Sequence, residues 1–229
     1  MAGRVAYHGG LVTDGLVLHL DAARKPSYPG SGDVWYDMTS NQYTGSLVNG
    51  ITFEKDRNSG TLAFDGSNDY VEIMYQGDLA TESYTFSFAA KHRGSRDNRR
   101  TMMGLSSGSQ QAYFTYNMQI WDSDLQFLSI YGDGSGYSSY NFNLDQPFYE
   151  WNYFTSVQTP TNMYTYVNGV LKNTTNPGSR RNNFDRIWIG QRGGQYWTGW
   201  IPEFKIYNRA LSASEILQNY NALKGRFGL

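Results

Sequence analysis

The stretch GWIPEFKIYNRALSASEILQNY, residues 199–220, begins as a β-strand and ends as a helix. In its first half Ile201, Glu203, Lys205 and Tyr207 fall on one face, with Pro202, Phe204 and Ile206 on the other. That is the two-residue period of extended chain. Ser212 then stands at an N-cap position with Glu215 three residues on, the spacing of a capping box. Ile216, Leu217, Tyr220 and Leu223 follow at helical spacing. A strand running into one short capped helix closes the chain.

Working outward, the remaining segments read as strands. GLVLHLDA (15–22) sets Leu16, Leu18 and Leu20 against Val17, His19 and Asp21, a strand buried on one side. TGSLVNGITFEK and TLAFDGSNDYVEI follow, the second broken by a turn at Asp65-Gly66, and YTFSFAAKH (84–92) alternates well. TMMGLSSG, AYFTYNMQIW and DLQFLSIYG give three more strands, and the polar connection GDGSGYSSYNFNLDQP holds one short strand. WNYFTSVQ precedes a hairpin in NMYTYVNGVLKNTT, where Asn168-Gly169 is the strongest hairpin signal of the chain. FDRIWIGQR leads into the closing strand. Many short strands separated by turn signals predict an all-β, two-sheet antiparallel sandwich with one C-terminal helix.

Composition narrows the function classes. Charged residues are 17% and the formal net charge is −1, so no electrostatic pull toward nucleic acid or an anionic membrane is expected. Aromatic residues at 16% beside 25 glycines suit twisted strands joined by tight turns. The absence of cysteine excludes disulfides and cysteine-based zinc sites. MAGRVAYHGGLVTDG lacks the apolar run of a signal peptide, and no stretch is long and apolar enough for a membrane span. The expectation is a chain made in a host cytoplasm, with no membrane insertion. It divides into an arm (1–13), one domain (14–223) and a tail (224–229).

FDGSNDYVEI (64–73), YTFSFAAK (84–91), WNYFTSVQTPTNMYTYVNGVLKN (151–173) and IWIGQRGGQYWTGWIPEFKIYNRALSASEI (187–216) occur in this order. Together they resemble the laminin G-like branch of the concanavalin A-like lectin jelly rolls. The resemblance implies a jelly-roll sandwich whose last strand returns beside GLVLHLDA, with the helix covering apolar surface at the sandwich edge. VTDGLVLHLDAARKPSYPGSGDVWYD and NYNALKGRFGL further resemble laminin G-like proteins of tailed bacteriophages. This narrower resemblance implies a virion surface protein, a capsid decoration or a tail- or fibre-associated subunit. It would be present in many copies or as a homo-oligomer, beside other virion structural proteins. The arms at each end are candidates for docking. One departure stands out: the family commonly has Gly-x-Ile-Asp-Glu where this chain has Gly199-Trp200-Ile201-Pro202-Glu203. Pro202 removes a carboxylate and a backbone N–H together.

Enzymatic chemistry is disfavoured. Glycoside hydrolysis needs two carboxylates flanking the scissile bond, whereas Glu54, Glu72, Glu82, Glu150, Glu203 and Glu215 are scattered. Asp122 and Asp124 are the nearest same-face pair and read as solvated turn residues. His8, His19 and His92 have no Ser or Cys partner at a suggestive spacing. No metal or cofactor site is assigned. Calcium stays open, with Asp65, Asp69 and Asp133 as loop oxygens, but no ligand set is named. Asp-Gly and Asn-Asp pairs also simply make turns.

Sugar binding uses an aromatic platform with amides or carboxylates gripping hydroxyls. Two segments offer this mixture: GDGSGYSSYNFN (132–143), with Tyr137, Tyr140 and Asn141, and QRGGQYWTGW (191–200), with Tyr196 and Trp197 after a Gly-Gly pair. The alternative for the same aromatics is to plug the sandwich edge or form a subunit contact, the more so for Trp200. Two basic clusters remain, RGSRDNRR with Arg96, Arg99 and Arg100, and SRR with Arg180 and Arg181. They lack interleaved aromatics, so nucleic acid is not the partner expected. Their functional reading is contact with an acidic neighbouring protein or an anionic polysaccharide. The reading that results is a non-catalytic lectin-like virion protein, with cell-surface polysaccharide as its ligand. A purely structural subunit is the alternative.

Overall fold

A computed structural model describes residues 10–75, 83–93, 100–106, 114–121, 126–132, 137–143, 147–176 and 184–229, with backbone alone over 106–143 apart from the side chain of Met118. In chain order the first strands are β1 (Leu16–Asp21), β2 (Val34–Tyr36), β3 (Thr44–Val48), β4 (Thr52–Glu54), β5 (Thr61–Asp65), β6 (Tyr70–Met74) and β7 (Tyr84–His92). Then come β8 (Arg100–Ser106), β9 (Phe114–Trp121), β10 (Gln126–Gly132), β11 (Tyr137–Asn143), β12 (Asn152–Gln158), β13 (Met163–Val167) and β14 (Val170–Thr175). The chain ends with β15 (Arg186–Ile189), β16 (Gln191–Arg192), β17 (Gln195–Tyr196), β18 (Thr198–Ile201), β19 (Glu203–Tyr207) and helix α1 (Ala213–Phe227).

Two antiparallel sheets face each other, as the strand pattern predicts. Sheet one runs β14-β13-β12-β7-β18-β5-β4, with β19 pairing both β7 and β1. Sheet two runs β11-β10-β9-β8-β15-β6-β3-β2. Their inner faces supply one core. Leu18, Leu20, Phe86, Phe88, Phe154, Phe204 and Ile206 of sheet one join Trp35, Val71, Ile73, Met103, Leu105, Ile187 and Ile189 of sheet two. The Phe88 and Phe204 rings stack with centroids 5.8 Å apart. The Asn168-Gly169 turn forms as expected, both residues at positive φ (52° and 76°), the requirement of a type I′ hairpin.

The opening stretch departs from its expected alternation at one point. Ile201 is buried in the core with Phe204 and Ile206, not on the face of Glu203. Trp200 pairs with Lys91 and Phe204 with Phe88, so four steps along the last strand oppose three on β7. The extra residue is a bulge at Pro202, which has no N–H to give the ladder. β18 accordingly pairs with β5, and β19 with β1.

The central strands of sheet one, β7, β12 and β19, are buried on both faces because α1 covers their outside. Ile216 packs with Val12, Val157, Tyr207 and Leu211, and Phe227 with Ala63, Ala89, Trp151, Tyr153 and Trp200. The charged residues of β19 therefore lie under the helix: Glu203 and Lys205 are fully buried and pair with each other. Burial pushes the Lys205 ammonium below its ordinary value. Arg226 locks the helix end, donating to Asp21 Oδ1 (2.8 Å), Asn58 O (2.8 Å) and Gly60 O (2.9 Å). The helix thus runs through the expected tail, and Phe227 belongs to the fold. Residues of the expected N-terminal arm dock too: Val12 N donates to Asn219 Oδ1 at 2.8 Å, and Gln218 Nε2 donates to Gly10 O at 2.8 Å.

The predicted capping box is present, with Ser212 Oγ accepting from Glu215 N and Glu215 Oε2 accepting from Ser212 N. Arg209 holds the same carboxylate at 2.6 Å. Replacing Ser212 with Ala will lower unfolding stability by about 1 kcal/mol in urea titration. The Arg209 hydrogen bonds, then the cap, bring the Glu215 carboxyl down to about 2 from 4.5. Burial, then the nearby Lys205, lowers His19 to about 3 from 6.5. Both groups bind protons more readily unfolded, so their contributions are complete above pH 4.5 and 6.5 respectively and fade toward about 2 and 3. Acid titration followed by circular dichroism will show stability falling across that range, with a shallower loss below pH 4.5 in Glu215→Gln.

Candidate functional site

The helix covers the outer face of sheet one, and among the described residues no helix lies on that of sheet two. On sheet two the inward residues Trp35, Val71, Ile73, Ile187 and Leu105 are fully buried, so their neighbours in each strand point outward. Ser46, Glu72, Trp188 and Gly104 align in one row across β3, β6, β15 and β8. Tyr36 and Met74, about half exposed at 46% and 49%, flank that row.

Glu72 anchors the middle. Its Oε1 accepts from Arg186 Nη1 at 2.5 Å and from Trp188 Nε1 at 3.2 Å. The carboxylate is thereby aimed and partly neutralised, and it stays partly exposed at 27%. Tyr70 lies on the same face. Burial, then the Glu72 carboxylate and the neighbouring Tyr196, push its phenol above the ordinary value.

A hairpin walls this face. β16 and β17 pair through Gln191–Tyr196 and Arg192–Gln195. Gly193 and Gly194 make the turn at φ 56° and 79°, values that favour glycine at both positions. The hairpin lies over Gly104, where a Cβ would sit 3.5 Å from Arg192 Cβ and Gln191 O. Arg100 ties it down by donating to Tyr196 O (3.3 Å) and Gly66 O (3.0 Å).

The sequence-predicted residues separate here. Tyr196 is half-buried on the hairpin beside Tyr70. Trp197 is a correction: expected at a loop tip, it is 1% exposed and belongs to the core, edge-on to His92 at 5.2 Å. Its backbone N donates to Gly190 O at 2.7 Å and turns the side chain inward. Trp200 is also buried, between the Arg57 and Arg93 guanidiniums at 4.0 and 4.6 Å.

Tyr137, Tyr140 and Asn141 lie on β11, three strands from β8, roughly 14 Å across the sheet. Their strand is a different one from that of Tyr196. Arg100, expected in a surface cluster, serves the hairpin instead. Arg96, Arg99, Arg180, Arg181, Asp122, Asp124 and Asp133 lie outside the described residues. Asp65 and Asp69 make a turn: Asp69 Oδ2 accepts from Asp65 N (3.0 Å) and Asp65 Oδ1 from Ser67 N (2.7 Å). Among the described residues, no three acidic or histidine side chains gather to hold a metal ion.

Sequence reasoning passed over Tyr36, Tyr70, Glu72, Met74, Arg186 and Trp188. A signal existed: in YVEIM and RIWI, Tyr, Glu, Met, Arg and Trp alternate with Val and Ile. Each strand alone looks like an ordinary half-buried one; only their adjacency builds the patch.

This two-sheet antiparallel sandwich is that of the lectin-like jelly rolls. The chain belongs to the concanavalin A-like lectin/glucanases superfamily, whose laminin G-type family model matches residues 65–217. No curated protein matches it. Among solved structures, the receptor binding domain of botulinum neurotoxin type G superposes with a TM-score of 0.70 at 16% identity, covering 91% of this chain and 51% of that one. The serotype D ligand binding domain, in complex with N-acetylneuraminic acid, gives 0.72 at 16% identity over 91% and 51%. A botulinum neurotoxin type C structure, from work tying its cell entry to two ganglioside molecules, gives 0.69 at 16% identity over 91% and 51%. At this identity the likeness is one of fold, and the chain spans about half the length of each.

Removing the anchor strands its donors. Glu72→Ala leaves Arg186 and Trp188 Nε1 without their acceptor and will cost roughly 2–3 kcal/mol. Glu72→Gln keeps an acceptor and will cost less, as thermal unfolding will show.

Proposed function

We propose that this chain is a non-catalytic, lectin-like module that binds cell-surface glycans on the outer face of sheet two. The observation that carries the reading is the asymmetry of the two outer faces. One lies under α1, while the other presents Tyr36, Tyr70, Met74 and Tyr196 around an oriented carboxylate–guanidinium pair. Aromatic and apolar surface meets the C–H side of a sugar ring, and Glu72 and Ser46 are placed for its hydroxyls.

The disposition of the acids supports a binding role over hydrolysis. Every glutamate among the described residues pairs with a cation: Glu54 with Arg57 and Arg93, Glu72 with Arg186, Glu150 with Lys91, Glu203 with Lys205, and Glu215 with Arg209. A glycosidase needs two carboxyl groups facing one bond. The N-acetylneuraminic acid and gangliosides named with two of the fold neighbours add weight to glycan as the ligand class.

The setting we propose is the surface of a tailed-phage particle, as a capsid decoration or a tail- or fibre-associated subunit. The N- and C-terminal phrases that resemble such proteins support this. Many tethered copies raise avidity over a weak single site by orders of magnitude, about 10²–10⁴. A glycan array probed with wild type on a multivalent carrier will reveal binders. Their signal will drop in Tyr36→Ala and Tyr196→Ala but not in Thr52→Ala on distant β4. An array silent for wild type at high multivalency overturns the reading in favour of a structural subunit.

A further inference from the structure

The ends of the two sheets are treated unequally. β1 is closed by the loop after β2, with Asp37 Oδ1 accepting from His19 N, Met38 N donating to His19 O, and Asn41 Nδ2 to Val17 O. β2 and β4 are three residues long, and Tyr36 N of β2 donates to Ser27 O. β14 carries a bulge: Thr165 pairs with Asn173 and Tyr166 with Leu171, so Lys172 is the extra residue. Short strands, covering loops, bulges and an edge lysine are the devices that keep sheet edges from pairing with other chains.

β11 ends sheet two at full strand length, and among the described residues no strand pairs with its outer edge. Its seven residues, Tyr-Ser-Ser-Tyr-Asn-Phe-Asn, include no charge and no proline. They pair with β10 without interruption, from Gln126–Asn143 to Gly132–Tyr137. A long, regular, uncharged terminal strand is a template for another strand.

A second observation falls on the same rim of the sandwich. β14 approaches β11 there, and the hairpin before it meets the helix, since a Cβ on Gly169 would lie 3.1 Å from the Tyr220 ring and 3.2 Å from Leu217. Val170, Leu171 and Leu217 are 53%, 47% and 43% exposed, a local concentration of apolar surface.

We propose that this rim is a self-association surface on which β11 of one copy pairs antiparallel with β11 of a second. The two eight-stranded sheets would join into one across a two-fold axis. A neutral strand fits its own copy in any register, since no like charges are brought opposite. Centred on Tyr140, the pairing sets Tyr137 opposite the other copy's Asn143 in an isologous contact. A seven-residue ladder alone falls short of the roughly 1,000 Å² a specific interface needs, and the Val170–Leu171–Leu217 patch adds apolar area. The formal net charge of −1 leaves little repulsion between copies. Tyr137, Tyr140 and Asn141 thereby become subunit-contact residues, and the dimer carries two glycan faces.

The cysteine-free chain allows a direct test. Sedimentation velocity of the full chain across a concentration series is expected to show a dimer. Tyr140→Cys will give a covalent dimer on mild oxidation, because directly opposed residues sit within disulfide reach; Thr52→Cys on β4 will not. Ser139→Lys with Asn141→Lys will sediment as monomer with an unchanged near-ultraviolet circular dichroism spectrum. A wild type that stays monomeric throughout overturns the proposal. So does a dimer that survives the lysine pair, or cross-linking as efficient at Thr52 as at Tyr140. If the lysine variant fails to fold, the cysteine pair alone decides.

Discussion

The structure depends on β19 being gripped on every side. It pairs with β1 and β7 along its edges, sends Phe204 and Ile206 into the core, and buries Glu203 and Lys205 beneath α1. Taking two charges out of water is costly and repaid only by close pairing. That demand ties the helix to a single seat. Arg226 holds its far end to Asp21, the residue opposite Glu203 on β1. The N-terminal segment, the last strand and the helix thus form one cooperative closure.

That closure also decides which surface is left for function. With α1 laid over sheet one, the outer face of sheet two is, among the described residues, the one without a helix on it. The β16–β17 hairpin, fastened by Arg100, gives it a wall, and the Arg186–Glu72–Trp188 cluster gives it polar direction. None of these groups relies on a flexible tip. A site on paired strands is pre-ordered, which limits the entropy lost on binding.

Much of the fold could be read from local pattern. The period of two in YTFSFAAKH, the Asn168-Gly169 turn and the Ser212–Glu215 box are encoded by neighbours in sequence, and each appears where expected. The misreadings were all long-range. Trp197 looks exposed beside Gly193-Gly194, yet its backbone bond to Gly190 turns it into the core. Arg100 belongs by composition to a basic surface run, yet carbonyls from two distant segments claim it. Glu72, Arg186 and Trp188 look unrelated across more than a hundred residues until β6 and β15 pair.

The sequence by itself determined the all-β sandwich, the family, the capped helix and the lack of disulfides, because periodicity, turn chemistry and caps act over a few residues. Only the tertiary structure decided the bulge at Pro202, the burial of Glu203 and Lys205, the locking of the C-terminal residues and the make-up of the outer face of sheet two. Those follow from which strands become neighbours and where a helix docks. Side-chain exposure depends on contacts distant in sequence, and alternation along a strand names two faces without saying which of them will be covered.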